Sequence, residues 1–104
     1  MLIDDIRILL AAPRPAATDA FLARVDTTLT DGYAHALQLE AGRARIERRI
    51  AEIVASRPSG PGPLDSEELA GLAERVTFAN QRIASLRALL GALRERRAEI
   101  RTAA

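Results

Sequence analysis

The chain has 104 residues, with 15 Lys+Arg against 14 Asp+Glu and a formal net charge of +1. That balance supplies no global attraction to nucleic acid, an anionic membrane surface or an acidic substrate, and the length suits one domain with a modest core. The absence of cysteine excludes a disulfide framework, a thiol nucleophile and a thiolate metal site.

The opening "MLIDDIRILLAAPRPAA" carries Asp4 and Asp5 before its first arginine, unlike the basic start of a secretory signal. No stretch reaches the roughly 20 apolar residues of a membrane span. A cytoplasmic protein with no membrane partner is therefore expected. Leu2, Ile6, Leu9 and Leu10 fall at helical spacing and predict a short helix over 2–11, which Pro13 and Pro15 end.

A long helix is predicted over 16–56. Leu22, Leu29, Ala36, Arg43 and Ile50 recur every seven residues, and Val25, Gly32, Leu39, Ile46 and Ile53 fill the intervening positions, an apolar seam of the coiled-coil kind. The stretch "DTTLTDGY" (26–33) gathers poor helix formers, its glycine alone costing roughly 1 kcal/mol relative to alanine. The seven-residue phase nevertheless crosses it without a slip. One helix is expected, with a kink or a close contact at Gly32.

Pro58, Pro61 and Pro63 with Gly60 and Gly62 predict a loop over 57–64. A second long helix is predicted over 65–102, starting at Asp65 or Ser66. Asp65 and Glu68 have the spacing of a capping box, Leu64 precedes them as a staple residue, and Glu67 adds negative charge where first-turn amides lack partners. Its seam consists of Leu69, Val76, Ile83, Leu90 and Arg97 with Leu72, Ala79, Leu86, Leu93 and Ile100.

The fold class that follows is all-α: a long antiparallel, coiled-coil-like helical hairpin with a short N-terminal helix, in one domain. Folding back at Gly60 and Pro61 sets Ile53 against Leu69, Ile46 against Val76, Leu39 against Ile83 and Leu22 against Ile100. Gly32 then faces Leu90, Arg43 faces Ala79, and Arg97 lies near Asp26. Charges agree with this direction, because Asp19, Asp26 and Asp31 come alongside Arg94, Arg96, Arg97 and Arg101. Arg43, Arg45, Arg48 and Arg49 likewise come beside Asp65, Glu67, Glu68 and Glu74. Such exposed pairs are worth about 0.2–1 kcal/mol each, so they select orientation more than they stabilise.

Phe21, Tyr33, Leu37, Val54, Phe78 and Leu89 lie outside the seam and form the expected interaction surface. The N-terminal segment can cover some of them, and a second copy can cover the rest in a four-helix bundle. The leading expectation is a protein-interaction or assembly module without catalytic activity, whose partner is itself, as a homodimer, or another helical protein. One alternative is a nucleic-acid-binding or regulatory helical protein that uses Arg87, Arg94, Arg96 and Arg101; it has no helix-turn-helix and no aromatic stacking platform. The other is a small all-helical enzyme or anionic-ligand binder in which Arg43, Asn80 and Arg82 hold the anion.

Constellations for other chemistry are sparse. His35, the single histidine, has Asp31 and Gln38 as helical neighbours and reads as a structural or surface residue, because neither an HExxH pair nor repeated Glu and ExxH ligands accompany it. "SGPG" lacks the lysine of a phosphate loop, and its proline removes an amide such a loop uses. No catalytic residue, metal or cofactor is expected. In length and two-helix pattern the chain resembles the small WXG-type secreted helical hairpins. Their Trp-x-Gly turn would fall at "RPSGPGP" (57–63), where no tryptophan stands, and the resemblance brings no function with it.

Overall fold

Proline and glycine placement decides where the helices stop. The computed structural model describes residues 1–13, 18–57, 59–60 and 62–103, and in it three helices carry the fold: α1 (Leu2–Ala11), α2 (Thr18–Ala55) and α3 (Pro63–Ala103). There is no strand among the described residues. α1 ends because Ala12 precedes Pro13 and takes the extended conformation (φ −62°, ψ 138°) that a following proline imposes. The expected contributions of Pro15, Pro58 and Pro61, and of residues 16 and 17 to the start of the long helix, fall outside the described residues.

α2 ends in a turn. The Ser56 hydroxyl donates to the Ile53 carbonyl (3.1 Å), and the Gly60 amide donates to the Arg57 carbonyl (2.9 Å). Gly60 has φ +95°, a left-handed backbone that only glycine adopts without strain. α3 then begins at Pro63, two residues before the expected start. Proline is favoured at the first helical position because its missing N–H would have no intrahelical acceptor there, and its fixed φ is already helical. Asp65 is consequently not the cap but the third helical residue, and its Oδ2 accepts from the Gly62 amide (3.3 Å). The same oxygen accepts from Arg57 Nε (2.8 Å), so one carboxylate ties both sides of the loop.

The chain forms two compact units. The first comprises Met1–Ala36 and Ala84–Ala104, and the second Leu37–Ile83. In the first, three helices share a core: Ile6 and Leu9 from α1, Phe21, Val25 and Leu29 from α2, and Leu86, Leu90, Leu93 and Ile100 from α3, all buried. α2 stays helical through Gly32, and the glycine is required there. A Cβ at Gly32 would come within 2.3 Å of Leu90 Cδ2, well inside the ~3.5–4.0 Å of an ordinary carbon contact. Asp26 accepts from Arg97 through both carboxylate oxygens, and Arg94 Nη1 donates to the Tyr33 hydroxyl (3.3 Å). Arg96 ties α1 to α3 by donating from Nη2 to the Ala12 carbonyl (2.9 Å).

In the second unit α2 packs on α3 alone. Arg57 meets Asp65, Arg49 Nε meets Glu68 (3.0 Å), and Arg43 Nη1 meets Asn80 Oδ1 (2.9 Å), so partners climb one helix as they descend the other. Its buried apolar residues are Ile53, Leu72 and Ile83. Leu39, Ile46, Ile50, Leu69 and Val76 occupy seam positions yet remain partly exposed, because two helices can cover only part of each other. Among the described residues no helix is long and apolar enough to cross a membrane.

Candidate interaction surface

The six residues expected to form an interaction surface divide between core and solvent. Phe21 is only 6% exposed, which corrects its assignment to the surface. It lies four residues before Val25 and eight before Leu29, so it extends the buried stripe of α2 into the region that α1 covers. Tyr33 and Leu89 are half-buried, and the Tyr33 hydroxyl is occupied by Arg94. Leu37, Val54 and Phe78 are 65%, 58% and 61% exposed. All three belong to the second unit, as does Leu64, which sequence reasoning assigned to a staple and which is the most exposed of the four.

Two grooves flank the partly covered seam of this unit. One, about 610 Å³, is lined by Ile50, Ala51, Val54, Ala55, Ala73 and Val76, with Glu47 as its single charge. The other, about 820 Å³, has an apolar floor that includes Leu39, Ile46 and Leu72, and walls that carry Arg43, Arg45, Arg49, Arg75 and Arg82 against one acid, Glu74. The α-helical repeat produces this segregation. On α2, residues 38, 42, 45 and 49 fall on one side of the seam and residues 47, 51 and 54 on the other.

The trio expected to hold an anion is only partly assembled. Arg43 and Asn80 do meet, but they hydrogen-bond each other, and Arg43 Nε also lies 3.6 Å from Glu47. The pair therefore reads as a cross-helix tie with much of its capacity used. Arg82 lines the same groove, with its guanidinium carbon 5.9 Å from the centroid of the Phe78 ring, an exposed cation–π contact worth about 0.5–1 kcal/mol. Arg45 and Arg75, which sequence reasoning did not select, line the same groove and have no ion pair among the described residues. A signal for them existed: neither has an acidic residue three or four positions away on its helix.

The arginines expected to contact nucleic acid are largely engaged within the chain. Arg96 bonds the Ala12 carbonyl and lies 3.9 Å from Glu99, Arg94 bonds Tyr33, and Arg87 also has an intrachain partner. Arg101 is exposed, and its charge helps to hold the Asp26 carboxyl below the usual aspartate range, an effect led by the Arg97 hydrogen bond. Asp65 is held low mainly by its hydrogen bond from Arg57, then by the one from the Gly62 amide. His35 is half-buried, and among the described residues no group of three or more His, Cys, Asp or Glu could hold a metal ion.

Comparison with family models, with curated proteins and with solved structures finds no match.

Proposed function

We propose that this chain is a protein-interaction or assembly module, an antiparallel helical hairpin that pairs with a second copy through residues Leu37–Ile83 and acts without catalysis. One contrast supports the reading. Where α1 joins α2 and α3, the seam residues Val25, Leu29, Leu86, Leu90 and Leu93 are buried; where α2 and α3 pair alone, Ile46, Ile50, Leu69 and Val76 stay partly exposed beside Val54 and Leu37. Each large apolar side chain moved fully out of water contributes about 1.5–3 kcal/mol, so covering this seam favours association. The nearly uncharged groove beside Val54 suits self-pairing. A two-fold axis brings the same patch to both sides, and alanines at 51, 55 and 73 allow close approach of helices. Two such hairpins would make a four-helix bundle.

Sedimentation equilibrium over a range of concentrations tests this. The mass should rise from 11.2 kDa toward twice that value, and Val54→Glu combined with Ile50→Glu should hold it at the monomer. Ile8→Glu, on the exposed face of α1, should leave association intact. A mass of 11.2 kDa throughout the range would reject self-pairing.

A further inference from the structure

We propose that the arginine-walled groove on the other flank of the α2–α3 seam binds an acidic amphipathic helix from a partner protein. The partner's apolar face would sit on the partly exposed Leu39 and Ile46, and its carboxylates would pair with Arg45, Arg75 and Arg82. This inference rests on the reading of Leu37–Ile83 as an interaction surface and adds a second, chemically different face to it.

Charge complementarity identifies the occupant. The walls carry five arginines and one glutamate, although the 15 basic and 14 acidic residues of the whole chain nearly balance. Two of the five arginines are satisfied within the chain: Arg49 by Glu68 and Glu52, and Arg43 by Asn80 and Glu47. Arg45, Arg75 and Arg82 have no ion pair among the described residues, and none has an acid at three or four positions along its helix. They present donor forks suited to bidentate carboxylate recognition, beside apolar side chains that water covers poorly. A second copy does not fit here, because a two-fold contact would bring this cationic rim against itself. A free small anion would leave the apolar floor uncovered. Nucleic acid would engage the arginines but gain little from leucine and isoleucine, and Phe78 is a single exposed ring rather than a stacking platform. A helix with leucines on one stripe and glutamates along its borders matches both parts of the groove.

Gly42 adds an independent point. It lines this groove within α2, where glycine is unfavourable, yet a Cβ there would meet nothing closer than Arg45 Nη2 at 3.6 Å. Packing within the chain does not require the glycine. A helix laid in the groove would, because a side chain at 42 would narrow it.

The test uses the full chain and a synthetic acetylated helical peptide with leucine on one face and glutamate at its borders. Its counterpart carries glutamine in place of every glutamate. By fluorescence anisotropy at low salt, the glutamate peptide should bind at least about tenfold more tightly than the glutamine one, and added salt should narrow the difference. Arg45→Glu with Arg75→Glu should remove the preference while thermal unfolding is unchanged, since neither side chain has a partner to lose. Arg45→Lys with Arg75→Lys should keep part of it. Gly42→Leu should weaken binding of the glutamate peptide. Val54→Glu should leave it intact, so loss of self-pairing and loss of this groove are read separately. Equal binding of the two peptides overturns the proposal, as does a preference that survives the glutamate substitutions. Duplex DNA binding at these arginines without peptide binding also overturns it.

Discussion

Gly32 is where the packing of the first unit can be tested with one methyl group. In Gly32→Ala the new Cβ would meet Leu90 Cδ2 at 2.3 Å, and Leu90 is wholly buried, so it cannot swing out into solvent and any shift must be taken up inside the core. Overpacking of this kind costs about 1–3 kcal/mol, while replacing a helical glycine by alanine returns about 1 kcal/mol. The expected net effect is a loss of roughly 0–2 kcal/mol. Gly71→Ala is the control, because it also lies inside a helix and a Cβ there meets nothing within 4 Å. It should stabilise by about 0.8–1 kcal/mol, the propensity gain alone. Urea unfolding of both variants, followed by circular dichroism, therefore compares the same chemical change with and without the clash. Trimming Leu90 to Val should cost less in the Gly32→Ala background than in the parent, since the two sites share the contact. If Gly32→Ala stabilises as much as Gly71→Ala, the close approach of α2 and α3 at this point is wrong.

Three further outcomes are expected. Ile6→Ala removes a fully buried side chain of α1 and should cost about 2–5 kcal/mol in urea unfolding; a loss within the range of surface substitutions would mean that α1 does not cap the core. Arg96→Ala removes the donor to the Ala12 carbonyl and should speed protease cleavage near Pro13, with unchanged cleavage counting against the tie. Arg97 and Arg57 hold the Asp26 and Asp65 carboxyls below their unfolded value of about 3.9, so their small stabilising effect is complete above that pH and is lost as pH falls through the lower folded values. The stability gap between the parent and Asp26→Asn should therefore close on acidification, and a gap independent of pH would contradict the pairing.

Much of the fold was legible because it rests on periodicity. The seven-residue phase crosses "DTTLTDGY" unbroken, and α2 is helical there; the same phase sets Gly32 toward Leu90 and Arg97 toward Asp26, which are contacts in the structure. The two-helix seam does not say which surplus residues the short helix over 2–11 covers, however, so Phe21 read as surface although the i, i+4, i+8 line of Phe21, Val25 and Leu29 continues the stripe that α1 covers. Asp65 looked like a cap because acids occur both at the cap and inside the first turn, and Pro63 at the first helical position distinguishes the two. Arg96 could not be placed from residue types, since its acceptor is a backbone carbonyl, which every residue carries. In the candidate surface, Leu37, Val54 and Phe78 followed from hydrophobic count and Arg82 from its place beside Asn80, but Arg45 and Arg75 did not. Alternation of charge along the sequence hides the fact that Arg45, Arg75 and Arg82 converge on one flank where Glu74 is the single acid, while Glu68 and Glu47 are committed to Arg49 and Arg43.

Hydrogen–deuterium exchange at low and high protein concentration tests most directly whether the partly covered seam of Leu37–Ile83 is what associates. Amides of Ile46–Ala55 and Leu69–Val76 should exchange more slowly at high concentration, because covering the seam opposes the opening of these helix segments, while amides around Val25 and Leu90 should not change. Protection that rises only in α1, or exchange independent of concentration in every segment, would contradict self-association through this surface.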